Sequence, residues 1–323
     1  MSSLIEQAAQ RLEQLRRAGA VVAEPRPAQR LPGGGQAAGA PVVAASAPAP
    51  AVESRKVELD FAVLAAAGVL VPDASRSMLG DQFRVIKRPL IRNAVGKGAA
   101  KIAHGNLIMI TSALAGEGKS FTAVNLAMSI ATELDHTVML VDADVARPSV
   151  SRMLGLTPSS QADFGPGLLD VLDGRADMSS VLLRTNIDKL TVLPSGTQHA
   201  RATELLASDA MTRLLDEMGR RYSDRIIIFD SPPLLLTTEA RVLATHMGQV
   251  VIVVHAGKTS QADVQTALAT IDNCPVLLML LNRTQAATEG GYGYGYGYGY
   301  GYGKGHGHGG APSDTSILEA PTS

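Results

Sequence analysis

The chain has 323 residues, 46% of them hydrophobic and 18% charged, with a formal net charge of -1. That length holds one α/β domain of about 200 residues plus flanking segments, and a near-neutral balance excludes a large basic field, so no nucleic-acid partner is expected. Cys274 is the only cysteine, which rules out an intramolecular disulfide and fits a reducing compartment. With no secretory signal and no apolar run near the roughly 18 residues of a membrane span, a cytoplasmic location is expected.

Residues 4–18 pattern as a short amphipathic helix, with Leu4, Ala8, Leu12 and Leu15 on one face. It is read either as a marginal exposed helix or as a docking element. Residues 19–54 are rich in Ala, Pro and Gly, the composition of a flexible linker. Order is expected to resume near Val57, as a helix or an extended docking segment, with a turn at Val71-Pro72-Asp73. Residues 77–94 pattern as a helix that Pro89 ends or kinks. Its basic residues, Arg84, Lys87, Arg88 and Arg92, read from spacing alone as a solvated face or something sharper.

Leu107–Ile110 is a continuous apolar run of the kind found in a parallel strand buried on both faces. A tight loop closing on Gly118-Lys119-Ser120 comes next, then a helical pattern from Phe121. Strand, Gly-containing loop and helix in that order are what a phosphate-binding loop needs, although its usual first Gly is Ala113 here. Backbone N–H groups of Ala115, Gly116, Glu117, Gly118, Lys119, Ser120 and Phe121 and the helix N-terminus would hold phosphate oxygens. Lys119 would reach the β/γ-phosphates, and Ser120 would coordinate Mg²⁺.

The next apolar run, Thr137–Val141, leads into Asp142-Ala-Asp144-Val-Ala-Arg147-Pro148. Two carboxylates at a strand's carboxyl end suit Mg²⁺ water coordination and polarisation of an attacking hydroxyl. Arg147 would neutralise phosphate or pair with a carboxylate. After a Ser/Gly/Pro-containing loop over 159–167 come a short helix over 168–172, a strand over 190–193 and a helix over 203–222. Ile226–Asp230 is an apolar strand ending in a carboxylate, the form of a Walker B element that holds Mg²⁺ through water. A helix over 234–247 and strands over 250–254 and 276–281 complete the domain. Asn282, at its end, either reads an adenine edge or caps a turn.

Alternating strands and helices give an α/β fold: a P-loop NTPase with an open, mainly parallel sheet, helices on both faces and its ligand at the strands' carboxyl ends. Residues 290–310 then run GGYGYGYGYGYGYGKGHGHGG, with Tyr292, Tyr294, Tyr296, Tyr298, Tyr300 and Tyr302 at a period of two. The bland reading is an adhesive low-complexity tail. The sharper one is a set of phosphorylation acceptors, six of which would add roughly -9 to -12 charges. The chain thus divides into three parts: an N-terminal helix and linker over 1–56, the P-loop domain over 57–284, and a disordered Gly/Tyr-rich tail over 285–323.

Together, the loop at 113–120, the aspartates at 138–144 with Arg147-Pro148, the element at 226–230 and the tyrosine tail resemble the bacterial tyrosine kinases of exopolysaccharide and capsule synthesis. The likeness is greatest to the cytoplasmic autokinases of PEP-CTERM/exosortase loci. It covers roughly residues 75–302. The resemblance implies a MinD/ParA-like branch of the P-loop ATPases, although the signature lysine of MinD itself is replaced by Leu114. It also implies ATP and Mg²⁺ as cofactors. Catalysis would fall to Lys119, Asp142, Asp144, Arg147 and Asp230, and metal binding to Ser120, Asp142 and Asp230. An E-x-x-R-x-x-R assembly motif of the family reads Asp81-x-x-Arg84-x-x-Lys87 here, which implies a ring-like homo-oligomer. The expected partners are a separate transmembrane chain-length determinant that recruits the kinase to the inner membrane face, and a tyrosine phosphatase. The rival readings are a MinD/ParA-like ATPase that organises a partner, and a nucleotide-dependent scaffold without catalysis.

Overall fold

A computed structural model describes residues 54–72, 76–98, 100–156, 165–222, 224–271 and 274–284. The expected N-terminal helix and linker and the tyrosine tail lie outside the described residues. Eight strands form one sheet: β1 (Arg55–Lys56), β2 (Leu107–Ser112), β3 (Thr137–Asp142), β4 (Leu183–Arg184), β5 (Leu190–Leu193), β6 (Arg225–Asp230), β7 (Gln249–His255) and β8 (Leu277–Asn282). Their order is β1-β4-β5-β3-β6-β2-β7-β8. Every pairing is parallel except β4 with β5. β2 is buried along its whole length and β6 from Ile226 onward, because helices cover both faces.

On one face, α1 (Phe61–Ala66), α2 (Met78–Ala94), α3 (Lys119–Ala131) and α4 (Val150–Met153) enclose Leu64, Phe83, Leu90, Ile108, Ile110, Leu126 and Val150. On the other, α5 (Leu168–Leu172), α6 (Met178–Val181), α7 (Ala202–Leu206), α8 (Asp209–Arg221), α9 (Glu239–Thr245) and α10 (Gln261–Leu268) enclose Leu107, Met109, Leu169, Leu215, Phe229 and Leu243. Alternate residues of β2 therefore feed opposite cores, as strand geometry requires.

Four expectations change. The domain begins at β1, which pairs with β4, so residues 55 and 56 belong to the sheet and not to the linker. The expected helix over 203–222 is two helices, because the Ser208 side chain caps Met211 N–H and starts α8 afresh. Pro89 does not end α2, which runs through it to Ala94. Val85, whose carbonyl loses its helical donor at Pro89, is exposed.

Lys87 is the fourth. It points inward, 4% exposed, donating to Ser129 O at 2.5 Å and pairing with Glu133 at 2.7 Å. It fastens α2 to α3 and is withdrawn from the surface where the assembly motif would need it. Asp81 and Arg84 do lie outward and pair with each other, and Arg76 Nε sits 3.1 Å from the same carboxylate. These guanidiniums, Arg76 first, hold the Asp81 carboxyl below its ordinary value.

Candidate active site

The site is built where β2, β3 and β6 end together. Parallel register sets Ile110 against Asp230 and Asp230 against Asp142, so two carboxylates emerge side by side. The loop from Ala113 to Gly118 crosses above them into α3. Gly116 and Gly118 adopt φ of 84° and 98°, left-handed backbone that glycine reaches without steric cost. At Gly118 a Cβ would also stand 2.1 Å from Asn282 Nδ2. Among the described residues, the N–H groups of Ala115, Gly116, Glu117 and Gly118 donate to no other protein atom. They remain available to an anion, as does the start of α3.

Lys119 reaches down from that helix, donating to Asp144 Oδ2 at 2.5 Å and lying 3.6 Å from Asp230 Oδ1. Burial alone would lower its ammonium, but Asp230 and Asp144 outweigh burial and hold it above the usual lysine value. Asp230 is fully buried, and among the described residues neither oxygen has a partner at hydrogen-bond geometry, Lys119 and Ser120 lying near it. Burial lifts its carboxyl to about 6, against the pull of Lys119 and Ser120. Asp142 is raised too, by burial first and then by Asp230. Its Oδ2 accepts from Ser149 and Val150 N–H at 3.0 Å each, while Oδ1 has no partner. One oxygen is thus held by the start of α4 and the other left free to act.

Three unsatisfied carboxylate oxygens in a dry site are costly unless a cation or proton meets them. With the Ser120 hydroxyl they form an all-oxygen donor set suited to Mg²⁺. Among the described residues, no group of three or more acidic, His or Cys side chains is spaced as a complete cage. Mg²⁺ takes one or two protein carboxylates and completes its shell with phosphate oxygens and water.

Other expected site residues take different parts. Glu117, 2% exposed, turns its carboxylate away from the cradle. Oε2 accepts from Leu114 N–H at 2.7 Å, and Oε1 accepts from the Thr259 hydroxyl and, at 3.5 Å, from His255 N–H. Asn282 Nδ2 donates to Glu117 O at 2.9 Å and its Oδ1 accepts from Arg283 N–H at 2.8 Å. Its amide braces the loop. Phe121 packs against the core beneath α3, so only its backbone faces the cradle. Arg147 is exposed and meets Asp144 through its backbone N–H, at 3.2 Å to Oδ1, and not through its guanidinium. Thr259, His255, Ser149 and Val150 were not anticipated. They act across the fold or through backbone N–H, which leaves no signature in a local motif.

The family described as an AAA domain matches residues 105–278, more than half of the chain. The tyrosine-protein kinase YwqD of Bacillus subtilis (strain 168) is 31% identical over 211 residues, an alignment covering 65% of this chain and 83% of YwqD. The chain belongs to the bacterial tyrosine kinases. The kinase is also 31% identical over 228 residues to the succinoglycan biosynthesis transport protein ExoP of Rhizobium meliloti (strain 1021), covering 69% of this chain but 27% of ExoP. It therefore spans about a quarter of the length of such relatives. Among solved structures, the chimerical protein CapA2B2 matches with a TM-score of 0.54 at 25% identity, over 71% of the kinase and 93% of that chain. The P-loop fold expected from the sequence, with its mostly parallel sheet and helices on both faces, is the fold observed. No helix among the described residues is long and apolar enough to cross a membrane.

Proposed function

We propose that this kinase transfers phosphate from ATP to the tyrosines of its own C-terminal cluster, each tail serving a neighbouring subunit's site, and thereby regulates exopolysaccharide synthesis or export. The observation that carries the reading is Asp142, one of whose oxygens is fixed by two N–H groups while the other is unpartnered beside Lys119 and Asp230. A buried carboxylate with a raised proton affinity suits the acceptance of a proton from an incoming phenol.

Lys119 leaves Asp144 to neutralise the β/γ-phosphates, and the free N–H groups of 115–118 stabilise oxygens on the migrating group. Asp144 holds Lys119 in readiness. Ser120, Asp230 and, through water, Asp142 would hold Mg²⁺, which would supply positive charge to offset that of the phosphates. Assembly uses the outward Asp81 and Arg84 with the exposed Met78 and Val85 beside them. The partners are further copies of the chain, a separate transmembrane chain-length determinant that recruits the kinase to the inner face of the membrane, and a tyrosine phosphatase. The exopolysaccharide setting is supported by likeness to a succinoglycan transport protein.

Phosphotyrosine measured after addition of Mg-ATP and a membrane activator tests the reading. Lys119→Met and Asp142→Asn should each abolish the signal, and replacing all six tail tyrosines with Phe should remove most of it while ATP still binds. ATP hydrolysis without phosphotyrosine would favour a partner-organising ATPase instead.

A further inference from the structure

β8 is an edge strand, paired with β7 on one side and with no other strand among the described residues. Its sequence, LLMLLN, carries none of the devices that usually protect an edge, such as proline, charge or a bulge. Register with β7 puts Leu277, Met279 and Leu281 on the same sheet face as the buried Val250 and Ile252. Yet the three are 36%, 65% and 61% exposed. An apolar strip and a row of free backbone groups therefore lie together on one edge.

The chain itself supplies a matching segment. Arg283, directly after β8, has φ of 56°, a left-handed conformation that turns the backbone out of the strand direction. Nine residues, 283–291, separate β8 from Tyr292, enough for a return loop within the usual range. The alternating run from Tyr292 to Gly303 then has the period of a strand with one aromatic face and one bare face.

We infer that this run folds back on its own chain as an antiparallel strand against β8, with tyrosine rings over Leu277, Met279 and Leu281. Pairing through backbone groups with alternate side chains in contact is β-augmentation. A tether of nine residues favours the chain's own tail over a second copy through its high local concentration. The run is twice the length of β8, so about three tyrosines dock and the others stay outside. The antiparallel direction leads away from the strands' carboxyl ends and holds docked rings away from the phosphate loop. Resting on the tyrosine-acceptor reading above, this makes the tail self-sheltering. A phosphate brings about -1.5 to -2 charges, which an apolar strip rejects, so modification of the free tyrosines and of those that dissociate transiently keeps the tail undocked.

Hydrogen exchange at residues 277–282 in the full chain without nucleotide tests the docking. Wild type and the variant with all six tail tyrosines changed to Phe should protect the outward-facing amides equally, at any protein concentration. The variant with all six changed to Ser should exchange them at least tenfold faster. Equal exchange in the Ser variant, or protection that grows with concentration, would overturn the proposal, the latter by assigning the edge to a second copy. Incubation with Mg-ATP should release β8 in wild type but not in the Phe variant. Phosphotyrosine with β8 still protected defeats the self-sheltering. Protection that is lost in the Ser variant, in a protein that forms no phosphotyrosine, keeps the docking and defeats the kinase reading alone.

Discussion

Single residues in this site trade stability for chemistry. Asp230 ionises at about 6 when folded, against 3.8 ordinarily, so the folded chain binds its proton more tightly than the unfolded one. The stabilisation is complete below 3.8 and is lost as pH rises to about 6, a loss of about 3 kcal/mol. In metal-free protein kept in EDTA, Asp230→Asn should therefore melt several degrees above wild type at pH 7.5, with the gap closing near pH 4. It should also be inactive. Melting at the same temperature at both pH values would contradict a carboxylate that Lys119 compensates only in part.

Glu117 makes a second case. Glu117→Ala leaves Leu114 N–H and Thr259 without their acceptor, and it should weaken ATP binding about tenfold, or about 1.4 kcal/mol, in a nucleotide titration. Glu117→Gln, which keeps an acceptor oxygen, should recover most of that. The GKS tripeptide was legible because phosphate binding needs adjacent residues. The Glu117 brace was not, because Thr259 lies 142 residues away and only the fold brings the two together.

At the scale of elements, β2, β3 and β6 could be read directly, since burial on both faces demands uninterrupted apolar runs. β4 could not. Two residues paired antiparallel carry no pattern of their own. In α2 the spacing of basic residues was visible but not which of them the helix turns inward. Lys87 falls in register with the buried Phe83 and Leu90, one turn from each, and its long stem brings its charge to Ser129 and Glu133. Lys87→Met should consequently lower the melting temperature, by about 2–4 °C for each kcal/mol lost, without changing the oligomeric state in sedimentation. Arg84→Glu should do the reverse, because it reverses the charge that Asp81 faces on an exposed surface. A Lys87 variant that dissociates while remaining stable would return that residue to the interface.

For the molecule as a whole, the phosphate loop is held from both directions along the sheet. Lys119 ties it to β3 and β6 through Asp144 and Asp230, while Glu117 and Asn282 tie it to β7 and β8. Mg-ATP replaces internal bonds of Lys119 and meets the unpartnered carboxylates, so it should stabilise the entire domain and not only the loop. At a ligand concentration about 100 times Kd, the gain is about 2.7 kcal/mol. Thermal unfolding should show it in wild type as one cooperative upward shift, and Lys119→Met should lose it.

The bond from Asn282 to the loop also makes the end of β8 part of the nucleotide site. The described chain through Asn282 is locked to the catalytic framework, and Arg283 sets the heading at which the polypeptide departs. A strand that slipped along β7 would draw Asn282 away from the Glu117 carbonyl and slacken the loop. Register at the edge of the sheet and grip on phosphate are thus one property of the fold, joined through a single side-chain amide.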